Sequence, residues 1–261
     1  MGIPKDVLRE DLCLGDWSIC IAYRGSIAHG MYIPSTDPNS IDDKDVMGVC
    51  VPPIDYYFGL HAVGGMFPTN GTKEIKKDEW DIVVYEANKF IHLLSVGNPN
   101  ALTLLYLDQN YYIKKEPAFD LLIENRDAFV GRHVYRSFTG YAYGQLHKMT
   151  HGQKLGHMGQ KRIELFGKYG YDCKNAAHLI RLLRMGIEYL KDGCLYVLRE
   201  DATQLLEIKR GEWTMEQVEK ESDCLFKLAE EAYLNCKLPK GPDIDKINKL
   251  AVEVIRTSLK I

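Results

Sequence analysis

Asp43 and Asp45 stand two residues apart where a polar loop passes into the apolar run VMGVCV. On extended chain successive side chains alternate between faces, so these two carboxylates project from the same one. Like charges held a few ångströms apart repel strongly unless a cation lies between them. Hard carboxylate oxygens suit Mg²⁺, with Mn²⁺ as a substitute. A third acid, Asp81, opens another short apolar run, DIVVY, and a carboxylate from an adjacent strand allows a pair of ions. Glu79 and Glu86 flank Asp81 and are alternatives for that third position. Upstream, the run WSICIAY leads into Arg24-Gly25-Ser26. Glycine permits a close backbone approach and serine supplies a hydroxyl, a combination suited to a phosphate beside the ions. His29, in the turn after Ser26, either contacts phosphate or substrate or makes a structural hydrogen bond. Gly25-x4-Gly30 is not a P-loop, because Met31-Tyr32 stands where Lys-Ser/Thr is required.

These residues need strands to hold them. From about residue 17 to 85, β-rich runs (17–23, 45–51, 81–85) alternate with turns rich in Gly, Pro and Asn. Beyond residue 85 the pattern predicts helix to the end. YEANKFIHLLSVG carries apolar residues at 87, 90, 91 and 94 and stops at Gly97-Asn98-Pro99. Residues 175–191 repeat apolar positions at 176, 180, 183, 187 and 190. Thr214 and Gln217 have capping-box spacing ahead of a helix of about 20 residues. Pro242-Asp243 precedes a last helix with a stripe at 247, 250, 254 and 255. The expected class is α+β: a small sheet-bearing unit, then an all-helical half, joined near 110–130.

The chain has 261 residues and a net charge of −3. Residues 132–184 hold ten Lys/Arg against Glu164 and Asp172, a local +8 that leaves −11 elsewhere. That imbalance points to an anionic ligand meeting a basic middle segment. Lys174, His178 and Arg181 share one polar helix face, suited to gripping a triphosphate or an acceptor's phosphate, or else simply wet. His147, His151 and His157 have the spacing of zinc ligands, but so basic a setting disfavours a cation, and contact with an anion or with water is the better reading. Tyr141 and Tyr143 are candidates for stacking on a base. No apolar run is long enough to cross a bilayer, so no membrane association is expected. The N-terminus lacks a signal-peptide pattern, and seven scattered cysteines without a CxxC pair read as reduced thiols; both point to the cytoplasm.

Strand, Gly-Ser turn, D-x-D and a later strand bearing Asp together resemble the nucleotidyltransferase superfamily typified by DNA polymerase β. The segments GSIAHGMYIPSTDPNSIDDKDVMGVCVPP, KDEWDIVVYEANKFIHLLSVGNPN and LLEIKRGEW look like its branch of predicted nucleotidyltransferases associated with RNA repair and with phage genomes. The resemblance implies a polymerase-β-type catalytic core over residues 1–125, a small mixed sheet with helices. A helical domain over 126–261 would close the cleft. It implies that Gly25 and Ser26 hold the triphosphate tail, that Asp43 and Asp45 bind both of two Mg²⁺ ions, and that Asp81 binds one. The activity implied is transfer of a nucleoside monophosphate from a nucleoside triphosphate, ATP among them, to an acceptor hydroxyl. RNA is the acceptor favoured by the +8 segment. A protein or small-molecule acceptor is the alternative, as is a catalytically silent nucleic-acid-binding module, against which the intact acids argue. The gap from Ser26 to Asp43 is longer than usual, making YIPSTDPNSI a candidate substrate-facing loop. Asp37 and Asp42 lie beside the pair and leave its register open. Glu207, Lys209 and Arg210 belong to the LLEIKRGEW segment, with no role readable from spacing.

Overall fold

The computed structural model describes residues 3, 11, 13–37, 40, 42–60, 70–151 and 160–261. Five strands form one mixed sheet: β1 (Ser18–Tyr23), β2 (Lys44–Cys50), β3 (Thr72–Lys77), β4 (Trp80–Glu86) and β5 (Tyr112–Lys115), in the spatial order β3-β4-β2-β1-β5. β2 and β4 run parallel, and every other neighbouring pair is antiparallel. β2, in the centre, is buried almost throughout because both of its faces are covered. β4 alternates strictly: Trp80, Ile82, Val84 and Glu86 point inward, while Asp81, Val83 and Tyr85 stay half-buried on the other face. β3 joins β4 through a two-residue turn whose first residue, Asp78, takes φ 52°, a left-handed conformation that aspartate tolerates.

One sheet face closes over a small core of Cys13, Leu14, Ile21, Val46, Cys50 and Ile82. The other meets helices. Short α1 (Gly25–Ala28) follows β1, and α2 (Ile54–Phe58) follows β2. Next come α3 (Ala87–Ser95), α4 (Pro99–Thr103), α5 (Pro117–Glu124), α6 (Val134–His151), α7 (Gln160–Tyr169), α8 (Cys173–Asp192), α9 (Ala202–Lys209), α10 (Met215–Leu234) and α11 (Ile244–Leu259). The expectation of helix alone beyond residue 85 is corrected by β5, which pairs with β1 at the sheet edge. Its sequence YIKK is too short and too charged to show a strand period.

α8 organises the second half. Asp172 caps its N-terminus and Gly193, at φ 69°, ends it in the left-handed turn that glycine adopts without strain. α6, α9 and α10 pack around α8, which is buried on nearly all sides rather than along one stripe. The capping box at Thr214 and Gln217 opens α10. α11 returns to the first half, setting Ile247, Leu250 and Val254 against α3 and α5, so one apolar core runs through both halves. No described helix is long and apolar enough to cross a membrane.

Capping residues of α8 and α10 are the sharpest test of this packing. Asp172 is buried, accepts the Asn175 N–H, and pairs with Arg162 at 2.7 Å. Asp172→Ala should cost about 2–4 kcal/mol, cap and ion pair together. Thr214→Ala, at an exposed cap, should cost about 1 kcal/mol. Urea denaturation midpoints rank the two, and equal effects would mean that α8 is not the element holding the helical half.

Candidate active site

Parallel pairing of β2 with β4 sets Asp45 directly opposite Asp81. Both project from the half-buried face, and Asp43, two residues before Asp45, lies exposed at the end of the strand. Burial pushes the Asp45 carboxyl above its ordinary pKa, and the neighbouring Asp81 and Asp43 charges push the same way, while Arg24 and Lys174 oppose them. Arg24 sits between the two facing acids, its Nη2 3.6 Å from Asp45 and 3.9 Å from Asp81. Glu86 and Glu79 are engaged elsewhere. Glu86 caps α3 and accepts the Tyr57 hydroxyl at the far end of β4, and Glu79 pairs with Lys44 in the hairpin turn.

The Gly-Ser turn packs against Asp45. Gly25 takes φ +59°, and a Cβ there would collide with the Asp45 carboxylate, so only glycine lets the backbone pass this close. The Ser26 hydroxyl is buried and has no hydrogen-bond partner among the described residues. Such an orphan costs free energy until a ligand meets it. His29 is also buried, with both ring nitrogens engaged: Nδ1–H donates to the Val197 carbonyl at 2.8 Å, and Nε2 accepts from Arg181 at 2.6 Å. Burial and the Arg181 charge hold its pKa well below the usual histidine range, so the ring is neutral. Of the two readings of His29, this geometry is the structural hydrogen bond.

The polar face of α8 does not face water. Arg181 is 5% exposed, and among the described residues no carboxylate lies in ion-pair contact with it. Its Nε is buried without a partner, and burial lowers its pKa to about 10. His178 is half-buried close by; desolvation, then Arg181 and Lys174, keep its pKa well below normal. Lys174 reaches Asp42 at 3.5 Å, and its charge is felt at Asp45. Asp42 itself is wholly internal, accepting the Ile33 N–H at 2.9 Å and the Lys209 ammonium. Lys209 also donates to the Met31 carbonyl at 2.9 Å, and burial lowers its pKa to about 8. Asp42 is therefore held inside the loop by the Ile33 N–H and Lys209, whereas Asp45 lies half-buried opposite Asp81.

The remaining candidates lie apart. His147 and His151 stack at 4.7 Å on the exposed side of α6, and His157 lies outside the described residues. Tyr141 accepts from Asn98 at 2.7 Å, and Tyr143 packs on Phe226. Arg210 is exposed at the end of α9, and Glu207 is half-buried with its carbonyl accepting the Glu212 N–H. Sequence reasoning named Lys209 without a role and did not single out Arg24. Lys209 lies four residues after Leu205 on the buried side of α9, the one signal that could have marked it. Arg24 was visible only as the neighbour of Gly25.

Facing carboxylates, a glycine cradle and a buried orphan hydroxyl form a donor set that fits divalent cations carrying a phosphate. Among the described residues no three acidic, histidine or cysteine side chains are grouped closely enough to hold an ion.

Two solved structures show a weak likeness. A nucleotidyltransferase-like protein from Exiguobacterium sibiricum 255-15 is 11% identical, covering 97% of this chain and 78% of its own, with a TM-score of 0.31. The CD-NTase CdnG of Bradyrhizobium diazoefficiens, solved with GTP, is 12% identical over 98% of this chain and 88% of its own, with a TM-score of 0.21. At such scores neither likeness bears on this chain's fold or chemistry. No curated protein matches. The family model described as "RNA repair pathway DNA polymerase beta family" matches residues 19–253, a span that takes in the Gly-Ser turn, all three acids and the basic segment, and the chain belongs to that family.

Proposed function

We propose that this protein is a Mg²⁺-dependent nucleotidyltransferase that moves a nucleoside monophosphate from a nucleoside triphosphate to an acceptor hydroxyl, with RNA as the acceptor. The observation that carries the reading is Asp45 in register with Asp81, with the Gly25 backbone against the Asp45 carboxylate and a buried, unpartnered hydroxyl on the next residue, Ser26. Asp43, Asp45 and Asp81 would hold two Mg²⁺ ions, which supply neutralising charge for the phosphates and for the attacking and leaving oxygens. Ser26 donates its hydroxyl hydrogen to a phosphate oxygen. Arg181 and Lys174 supply positive potential from α8, and Arg181 gains there the anionic partner that its buried guanidinium lacks. His178, in this reading, stays neutral and lines the triphosphate pocket, while His29 acts on the nucleotide only by fixing Arg181. Asp81 is placed to take the proton from the acceptor oxygen as it bonds to the α-phosphorus, and pyrophosphate leaves from the opposite side.

RNA is favoured by the outer side of α6, where Arg136, Tyr143, His147, Lys148 and His151 are all exposed, mixing charge with rings. The face of α8 that spacing alone also offered to RNA is internal and faces the acids instead.

Three measurements test this reading. Asp45→Asn keeps volume and removes charge, so pyrophosphate release should fall by at least about 10³-fold. The same change should raise the melting temperature of the metal-free protein at pH 7. Asp45 has a raised pKa when folded, so its charged form is the costly one, and the gain should fade as acid protonates the wild-type side chain. Near-normal turnover in Asp45→Asn would overturn the assignment. For the acceptor, RNA affinity should fall steeply with salt, and the double change Arg136→Glu, Lys148→Glu should reduce the slope of log K against log salt by about 1–2. A flat salt dependence would turn the reading to a protein or small-molecule acceptor.

A further inference from the structure

Arg24 makes two tethers to the main chain of β2: its N–H donates to the Asp45 carbonyl at 3.0 Å and its Nε to the Val46 carbonyl at 3.3 Å. Beyond these, its guanidinium is ion-paired only with Asp45 and Asp81 among the described residues. At 3.6 and 3.9 Å both contacts are longer than the 2.7–2.9 Å of a hydrogen-bonded ion pair, so the group bridges the two acids without locking to either. Three side chains, Arg24, Asp45 and Asp81, keep 19%, 21% and 27% of their surface exposed, so the guanidinium can leave without any opening of the core. It occupies the place between two register-paired carboxylates that a divalent cation requires. One and two residues further along the chain lie Gly25 and Ser26, so a displaced guanidinium stays within reach of any phosphate that Ser26 holds.

We infer that Arg24 is the protein's own stand-in cation, which competes with a bare divalent ion for Asp45 and Asp81 but pairs with the phosphates of a metal–nucleotide once displaced. The arrangement makes the site selective for the ion that arrives with a triphosphate over the free ion. Arg24 is on this account a positioning residue with opposite effects on two ligands, a signature that a merely structural arginine does not have. The inference rests on the reading of Asp45 and Asp81 as metal ligands.

Mn²⁺ binding followed by electron paramagnetic resonance, and calorimetry with Mg²⁺ and a triphosphate carrying a methylene bridge between its α- and β-phosphorus atoms, test it on full-length protein. Arg24→Gln should bind Mn²⁺ alone about three- to ten-fold more tightly than wild type and the Mg²⁺–nucleotide about ten-fold more weakly. Arg24→Lys, which keeps the charge but loses the Nε–H tether to the Val46 carbonyl that holds it between the acids, should bind Mn²⁺ about twofold more tightly than wild type and serves if the Gln variant does not fold. An unchanged or weaker affinity for Mn²⁺ in either variant overturns the inference, as does a Gln variant that binds the Mg²⁺–nucleotide as well as wild type does. Asp45→Asn separates the two levels. If it leaves Mn²⁺ binding intact, the metal-ligand reading itself fails; if it abolishes binding while Arg24→Gln changes nothing, only the role of Arg24 fails.

Discussion

Two carboxylates face each other across neighbouring parallel strands, and much of the surrounding structure manages the consequence. Strands lie about 4.8 Å apart, and two unit charges at that distance repel by roughly 3 kcal/mol at the effective dielectric of a protein surface. A fold that sets Asp45 against Asp81 in register cannot relax the pair by sliding, because a one-residue slip would turn all of β4 inside out. The chain answers with positive charge: Arg24 between the acids, and Lys174 reaching in from α8. It also brings the Gly25 backbone down on Asp45, restricting where that carboxylate can move. Rigidity of this kind is what phosphoryl chemistry asks of its ligands, since catalysis there is chiefly position and charge.

The second half of the chain is tied to those strands from the inside. Lys209 of α9 and Lys174 of α8 converge on Asp42, one residue before the D-x-D pair, and Arg181 of α8 holds His29, three residues after Ser26. His29 in turn grips the Val197 carbonyl. Both segments that carry the candidate site groups are thus pinned by charged residues of the helical half. Buried pairs such as Lys209–Asp42 contribute little net stability when intact but are costly to break on one side. Their effect is to fix one arrangement of the helical half against the strand-bearing half. Arg181 stands out among these groups, since it is buried with a neutral histidine as its partner and with no acid in contact.

The strands that carry the acids were legible in the sequence, because WSICIAY, VMGVCV and DIVVY are apolar runs with clear ends. So were α3, α8, the capping box of α10 and the stripe of α11. β3 and β5 were not: TKEIKK and YIKK lie at the sheet edges, where lysine guards against pairing with another chain and masks the strand signal. The three acids and the Gly-Ser turn could be named as candidates because nucleotidyl-transfer chemistry would dictate their types and order. What stayed hidden depended on contacts across long stretches of chain. Nothing local says that Lys209 meets Asp42, that the face of α8 bearing Arg181 turns inward, or that both nitrogens of His29 are taken. Glu79 and Glu86 looked equivalent to Asp81 until the register of β4 against β2 put Asp81 opposite Asp45 and gave Glu86 to the cap of α3.

The central claim is that the facing acids serve transfer of a nucleotidyl group and not of a terminal phosphoryl group. Parallel reactions with the same triphosphate labelled at the α- or at the γ-phosphorus, with Mg²⁺ and RNA, distinguish these directly. The account predicts label on the RNA from the α-position only, none from the γ-position, and none from either with Asp45→Asn. Label transferred from the γ-position, or α-label transferred undiminished by Asp45→Asn, would contradict it.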